Sequence, residues 1–166
     1  YITAQRVPFA HMWSPAFVPK PPDWGPEVDV VGNFFATNLA DVSYAPAPDL
    51  AAFLAAGAPP ILITFGSMKF DNAAEICAMV YEVAADTGVR VLIQSGWSEM
   101  KCERPQPPNV FTMGPAPHDW LMQRTEGVVH HGGAGTTAAG LRCGNPTFIC
   151  PFFGDQHFWG AMVERA

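Results

Sequence analysis

Short apolar runs alternate with helix-like segments from residue 61 to the end of the chain. The runs cover residues 61–65, 89–94, 109–113, 127–130 and 147–150. Helical patterns follow them, beginning near Asp71, His118, Gly135 and Asp155. Short apolar strands joined by helices form a parallel sheet that is covered on both faces. We therefore expect an α/β domain over residues 61–166, truncated at its C-terminal end.

The helix after the first strand has the clearest sequence boundaries. Asp71 is expected to cap its N-terminus and Gly88 to end it. Its apolar residues recur at helical spacing and predict a buried face that includes Ile76, Val80, Val83 and Ala84.

Residues 1–60 have a different character, because ten of the seventeen prolines lie there. Proline fixes φ and removes a donor, so residues 14–26 are expected to form neither a helix nor a central strand. We interpret residues 1–60 as a Pro-rich arm or inter-domain connector. It is expected to hold a short strand near residues 28–31 and a helical turn near residues 50–56. Three aromatic side chains would pin the arm to a neighbouring surface, namely Trp13, Trp24 and Phe34.

Composition excludes several classes of protein. Apolar residues make up 49% of the chain and charged residues 14%, which excludes a largely disordered chain. The net charge of −6 and the lack of a Lys/Arg cluster argue against nucleic acid as a partner. No apolar run reaches the roughly 18 residues of a membrane span, and no secretory signal is visible.

The four cysteines form no C-x-x-C pair and are expected to be free thiols in a reducing compartment, so we expect a cytoplasmic protein. The chain begins with Tyr1 and stops inside a helical pattern, and we interpret it as a piece of a longer protein.

The chemistry-bearing residues follow the carboxyl ends of the predicted strands. Gly66-Ser67 follows the first strand, Trp97 the second, residues 131–137 the fourth and residues 152–156 the fifth. Ligands of open α/β sheets bind beyond these strand ends. The four loops are therefore expected to converge on one crevice.

The loop at residues 131–137 reads His-Gly-Gly-Ala-Gly-Thr-Thr and leads into a helix of small residues. Free amides and the positive dipole end at such a helix N-terminus suit a phosphate. The structural alternative is a tight turn that lets the strand and helix pack closely. The spacing matches neither the dinucleotide fingerprint nor the phosphate-binding loop with its lysine.

Several polar residues around this loop admit two interpretations each. His130 and His131 are adjacent on a strand end and face opposite ways, so they are poorly placed to bind one metal together. Asp155 and Gln156 suit vicinal sugar hydroxyls, although Asp155 is equally suited to capping a helix. Ser67 either donates to a phosphate or starts a turn. Trp97 stacks on a base or is an ordinary aromatic residue. We favour a structural role for His130, and likewise for His118, Asp119 and Trp120.

The run 128–142 resembles the donor-binding signature of nucleotide-sugar glycosyltransferases with the two-domain GT-B fold, and the run 151–160 sharpens this resemblance. A more specific likeness depends on these two runs taken together with residues 117–121. They are similar to the sterol 3-beta-glucosyltransferase branch and its bacterial relatives, and the likeness covers residues 13–166. It implies a Rossmann-like C-terminal domain that binds the donor. The implied reaction is metal-independent transfer of a hexose, expected to be glucose, from a UDP-sugar to a hydroxyl of a lipid-like acceptor such as a sterol.

The resemblance also implies a role for each matching position. The diphosphate would be bound by Ser67, His131, Gly133, Gly135, Thr136 and Thr137. Asp155 and Gln156 would bind the sugar, and Trp97 would lie near the uracil. Plant-type relatives use a tryptophan for the uracil at the position of Met113, so base recognition is expected to differ here. The general base would belong to an N-terminal domain, so we expect no catalytic residue in this chain. The resemblance also implies that the site uses no metal and no cofactor, with the UDP-sugar as co-substrate.

Other functions fit the same signature. One is a nucleotide-sugar-binding module without catalysis, and another is a glycosyltransferase that acts on a polyketide or another small-molecule acceptor. An epimerase of the same fold is a further alternative. A sterol acceptor implies that the full-length protein works at the periphery of a membrane, although no segment of the chain is an anchor.

Overall fold

The computed structural model describes residues 2–35, 43–69, 71–96 and 100–166. Its strands are β1 (Phe9–His11), β2 (Val28–Val30), β3 (Ile61–Thr64), β4 (Val91–Gln94), β5 (Val110–Met113), β6 (Gly127–His130) and β7 (Thr147–Ile149). Its helices are α1 (Ile2–Gln5), α2 (Pro48–Ala55), α3 (Ala73–Thr87), α4 (His118–Met122), α5 (Ala134–Arg142) and α6 (Gln156–Arg165).

The central sheet confirms the predicted parallel α/β architecture. Its strand order is β5-β4-β3-β6-β7, and every neighbouring pair is parallel. The chain moves outward from β3 to β5 and then returns to place β6 on the other side of β3. The strand order therefore reverses between β3 and β6, and the crevice for a ligand lies beyond the carboxyl ends of these two strands.

Each face of the sheet has its own apolar core. Ile63 and Ile93 lie on one face, where α3 contributes Cys77 and Tyr81. The other face buries residues of α2, α4 and α5 against the sheet, including Leu50, Leu62, Leu92, Leu121, Val128 and Ala139. Leu50 lies within the segment predicted to be the arm, yet only 2% of it is exposed. Burial of one such leucine side chain stabilises the fold by about 2 kcal/mol.

The long helix α3 corrects two details of the prediction. It begins at Ala73, with Asn72 at the N-cap and no side-chain cap hydrogen bond, so the predicted cap by Asp71 is wrong. The predicted end at Gly88 is confirmed, since Gly88 adopts a left-handed φ of 70°. Its buried residues are Cys77, Tyr81 and Ala84, whereas Val83 is 55% exposed. Val83 lies beside this stripe, so its predicted place on the buried face is wrong.

The arm contains the predicted strand near residue 28 and one strand that was not predicted. That strand, β1, pairs in parallel with β2 through Phe9–His11. Trp13 contacts the ring of Trp159 edge to face at 5.6 Å, as a pinning residue should. Trp24 instead stacks on His11 within the arm at 4.5 Å, and Phe34 is 74% exposed, so the prediction that Phe34 pins the arm is wrong.

All four cysteines are free, with Cys77 buried and the other three half-buried. Across the described parts of the chain, no helix has both the length and the apolarity needed to cross a bilayer.

Candidate functional site

The loops that follow β3 and β6 meet at the strand-order reversal. The ring of His131, just after β6, lies against Gly66, just after β3, and a Cβ added to Gly66 would lie 3.5 Å from the His131 Cε1. Ser67 is exposed in the same turn. The predicted convergence of these two loops is therefore present in the structure.

His131 lies between this turn and the glycine-rich loop. A Cβ added to Gly133 would lie only 2.5 Å from the His131 Nε2, so the missing side chain at position 133 makes room for the ring. The His131 Nδ1 is buried and has no hydrogen-bond partner. Burial is the main cause that lowers the His131 pKa, and His118 lowers it further, while the charge of Asp155 acts in the opposite sense. The structure thus places between the two loops an imidazole whose Nε2 lies beside Gly133 and whose pKa is lowered.

The N-terminus of α5 opens beside this imidazole. Gly133 is its N-cap residue, with extended φ and ψ of −61° and 138° and no side-chain cap hydrogen bond. The first amides of a helix have no intrahelical acceptor, and they carry the positive end of its dipole. Gly135 lies in this first turn, where an added Cβ would meet nothing within 4 Å, and Thr136 follows it half-buried. Backbone donors therefore surround a space that an anion can enter.

Thr137 differs from its predicted role. Its side chain is almost completely buried, and its hydroxyl donates to the carbonyl oxygen of Gly133 at 3.0 Å. The hydroxyl therefore closes the first turn of α5 and does not point to a ligand.

His130 holds the glycine-rich loop through a hydrogen bond to its backbone. It is fully buried, and its Nδ1 accepts a hydrogen bond from the backbone N–H of Gly132 at 2.9 Å. Gly132 has a left-handed φ of 88°, and a Cβ there would lie 2.6 Å from the Ile149 Cγ2. Burial, followed by the nearby His131 and His118, lowers the His130 pKa to about 4. A neutral His130 therefore fixes the turn, in agreement with its predicted structural role.

A row of polar side chains continues from His130 across the neighbouring strands of the sheet. Thr64 is in register with Gln94 on one side and with His130 on the other. The Gln94 side-chain oxygen accepts from the Thr64 hydroxyl at 3.0 Å and lies 3.2 Å from the Nε2 of His118. The Gln94 amide donates to the Ala116 carbonyl. Sequence reasoning missed this row, although polar residues at the ends of two apolar strands were a visible signal.

Asp155 lies at the N-terminus of α6 without capping it through its side chain. Its Oδ2 instead accepts a hydrogen bond from the indole N–H of Trp159 at 2.8 Å. The residue is exposed, and its charge acts on His131 across the crevice. Plain side-chain capping, the structural alternative for Asp155, is not observed.

Gln156 is buried directly behind Asp155. Its side-chain oxygen accepts from the amides of Phe152 and Phe153 at 2.7 and 3.2 Å, and its Nε2 donates to the sulfur of Met68 at 3.6 Å. The side-chain oxygen therefore holds the loop after β7, and only the second amide hydrogen remains for a sugar. Trp97 lies outside the described residues. Met113 is buried in the core at the end of β5.

The polar groups in the crevice are backbone amides, one imidazole and one carboxylate. Within residues 2–35, 43–69, 71–96 and 100–166, no group of three or more His, Cys, Asp or Glu side chains could hold a metal ion. The site is suited to an anion that carries neighbouring hydroxyl groups.

Comparison with known proteins agrees with this geometry, although no family model matches the chain. It is 47% identical over 159 residues to the sterol 3-beta-glucosyltransferase UGT80B1 of Arabidopsis thaliana, covering 95% of this chain and 26% of that protein. It is 38% identical over 170 residues to the sterol 3-beta-glucosyltransferase of Aspergillus clavatus, covering 96% of this chain and 12% of that protein. The chain thus spans only 26% and 12% of the lengths of these two relatives.

A solved structure shares the fold. Phytolacca americana UGT2, in complex with UDP-2fluoro-glucose and pterostilbene, superposes with a TM-score of 0.68 at 17% identity, over 94% of this chain and 36% of that one. The chain is therefore a sterol 3-beta-glucosyltransferase-like segment with the fold of a GT-B glycosyltransferase.

Proposed function

We propose that this chain binds the UDP-sugar in an enzyme that transfers a hexose, glucose in our proposal, to a hydroxyl of a lipid-like acceptor such as a sterol. One observation carries the proposal. The His131 ring lies against Gly133, the N-cap residue at the open N-terminus of α5, and the Asp155 carboxylate is near enough to influence the His131 pKa. The names of the relatives supply the acceptor and the sugar in this proposal.

The diphosphate would lie at the mouth of α5. A leaving UDP gains negative charge as the glycosidic bond breaks, and preorganised amides and a helix dipole stabilise that charge. His131 would donate a hydrogen bond to the same group, and the negative charge of the ligand would favour its protonation. Ser67, exposed in the adjoining turn, would add a hydroxyl donor. These residues require no metal ion to perform this role.

The sugar would lie toward the N-terminus of α6. A carboxylate accepts hydrogen bonds from two neighbouring hydroxyls, so Asp155 would select an equatorial diol. Gln156 would contribute one amide hydrogen only, because its oxygen already holds the loop after β7 and its Nε2 donates to Met68. Removal of the acceptor proton needs a general base, which we place in another part of the whole enzyme. We further propose that the acceptor is met at a membrane surface on the cytoplasmic side.

Calorimetric titration of the whole enzyme with UDP and with UDP-glucose tests the proposal. His131→Ala should weaken both ligands about tenfold or more, because it removes a contact to the shared diphosphate. Asp155→Ala should weaken UDP-glucose and spare UDP. Asp119→Ala is the matched control, since Asp119 lies in the first turn of α4 and should affect neither ligand.

Two results would contradict the proposal. If the unmodified protein bound neither nucleotide, the diphosphate site would be wrong. If Asp155→Ala weakened UDP and UDP-glucose equally, the assignment of Asp155 to the sugar would be wrong.

A further inference from the structure

We propose that Trp159 is a positioning residue that aims the Asp155 carboxylate at the sugar. The inference rests on the proposed function, in which Asp155 contacts sugar hydroxyls. Its basis is the 2.8 Å hydrogen bond from the Trp159 indole N–H to the Asp155 Oδ2. One oxygen of the carboxylate is thereby fixed, and the other remains to accept from the ligand.

The bond accounts for the position of a carboxylate that does not cap its own helix. Asp155 occupies the N-cap of α6 with helical φ and ψ of −74° and −7°, and its side chain makes no cap hydrogen bond. A capping aspartate ordinarily has extended backbone angles and accepts from the second or third amide of its helix. The indole lies one helical turn further on, at the spacing where side chains of a helix meet. Trp159 therefore supplies the hydrogen bond that holds the carboxylate.

The indole can do this because its ring is held on several sides. Trp159 is only 6% exposed. Trp13 meets it edge to face at 5.6 Å, and Phe17 stacks on it with centroids 6.2 Å apart. Phe158 contacts it edge to face at 5.0 Å. Since Trp13 and Phe17 belong to the predicted arm, the arm fixes the ring and the ring fixes the carboxylate.

The variant Trp159→Phe removes the N–H donor and keeps an aromatic ring in the cluster. Titrated as the whole enzyme, it should bind UDP-glucose about five- to tenfold more weakly, as expected for loss of a hydrogen bond to a charged group. Its affinity for UDP should stay within about twofold, because UDP lacks the hydroxyls that Asp155 accepts from. Trp120→Phe is the matched control on α4 and should change neither affinity.

A double-mutant cycle separates positioning from general loosening of the fold. Once Asp155→Ala is present, adding Trp159→Phe should weaken UDP-glucose no further. Equal weakening of both ligands by Trp159→Phe, or additive losses in the double variant, would overturn the inference.

A measurement on the free protein covers the case in which Trp159→Phe does not fold. With 5-fluorotryptophan incorporated, the fluorine resonance of Trp159 should shift in Asp155→Ala, while that of Trp120 should not. An unchanged Trp159 resonance would overturn the inference. If Asp155→Ala lowers affinity for UDP-glucose but Trp159→Phe does not, the positioning role alone fails. Absence of UDP binding by the unmodified protein would instead contradict the proposed function.

Discussion

His130 and His131 are neighbours in sequence, but the structure gives them opposite surroundings. Their ring centroids are 6.1 Å apart, and the ring planes are inclined by 78°. His130 is fully buried beneath the glycine-rich turn, whereas His131 lies half-buried in the crevice. Successive side chains of a strand point to opposite faces, and β6 ends between these two residues. The same side chain thus supports the loop from one position and faces the ligand space from the next.

The difference is also one of protonation. The Nδ1 of His130 must be unprotonated to accept the Gly132 amide, and burial keeps the pKa of this ring at about 4. The pKa of His131 is lowered as well, but the Asp155 carboxylate opposes that shift, and a bound anion would oppose it further. Burial therefore holds His130 in its neutral form, and His131 is the histidine whose protonation a bound anion would favour.

The largest expected effect separates the two histidines by their contribution to folding. His130→Ala should lower the free energy of unfolding by about 2–4 kcal/mol, because it leaves a cavity and an unpaired Gly132 amide. His131→Ala should lower it by less than about 1 kcal/mol, since its ring lies in the crevice and its Nδ1 has no partner to lose. Urea unfolding followed by circular dichroism measures both values.

His130→Asn is the matched variant, because its side-chain oxygen can replace the Nδ1 as an acceptor for the Gly132 amide. It should be more stable than His130→Ala. Similar losses for His130→Ala and His131→Ala would show that the contrast between the two residues is wrong.

Much of this arrangement could be predicted from sequence because it depends on patterns of local residues. The alternation of apolar runs with helical segments predicted the parallel sheet, and the position of glycines and polar residues after strands predicted the crevice. Strand periodicity separated His130 from His131, and the position of His131 next to the glycines indicated which of the two faces the crevice. Each of these inferences needs only neighbouring residues and the rule that ligands bind at the carboxyl ends of parallel strands.

The remainder depends on contacts between residues far apart in the chain. Thr64 and Gln94 are thirty positions apart, and only the strand register brings their side chains together. The role of Trp159 depends on Trp13 and Phe17, which no local pattern connects to α6. The exposure of Val83 depends on which face α3 turns toward the sheet. The helical spacing of its apolar residues did not determine that face.

A somewhat smaller loss in the free energy of unfolding is expected at acidic pH. Well above pH 6.5, His130 is neutral in both the folded and the unfolded chain, so its contribution to stability is complete. As the pH falls from 6.5 toward 4, the unfolded chain takes up a proton that the folded protein excludes, and stability is lost. The loss reaches about 3 kcal/mol for a shift from the ordinary histidine value to about 4.

Urea titrations at pH 7, 6, 5 and 4.5 measure this loss, and His130→Asn isolates it from carboxylates and from His118. The stability difference between the unmodified protein and His130→Asn should shrink steadily as the pH falls. A difference that stays constant with pH would mean that burial does not hold His130 neutral.

The smallest effect concerns His131 and the charge of the ligand. UDP-glucose has no phosphate group that titrates near neutrality, so any pH dependence of its binding reports on the protein. Because burial lowers the His131 pKa in the free protein and the diphosphate would raise it, binding should take up a fraction of a proton. Affinity should therefore rise about two- to fivefold as the pH falls from 8 to 6. Calorimetry in buffers of different ionisation enthalpy measures the proton uptake, which His131→Ala should abolish and His130→Asn should leave intact. Binding that is independent of pH in the unmodified protein would show that His131 stays neutral, and both histidines would then act only through uncharged nitrogens.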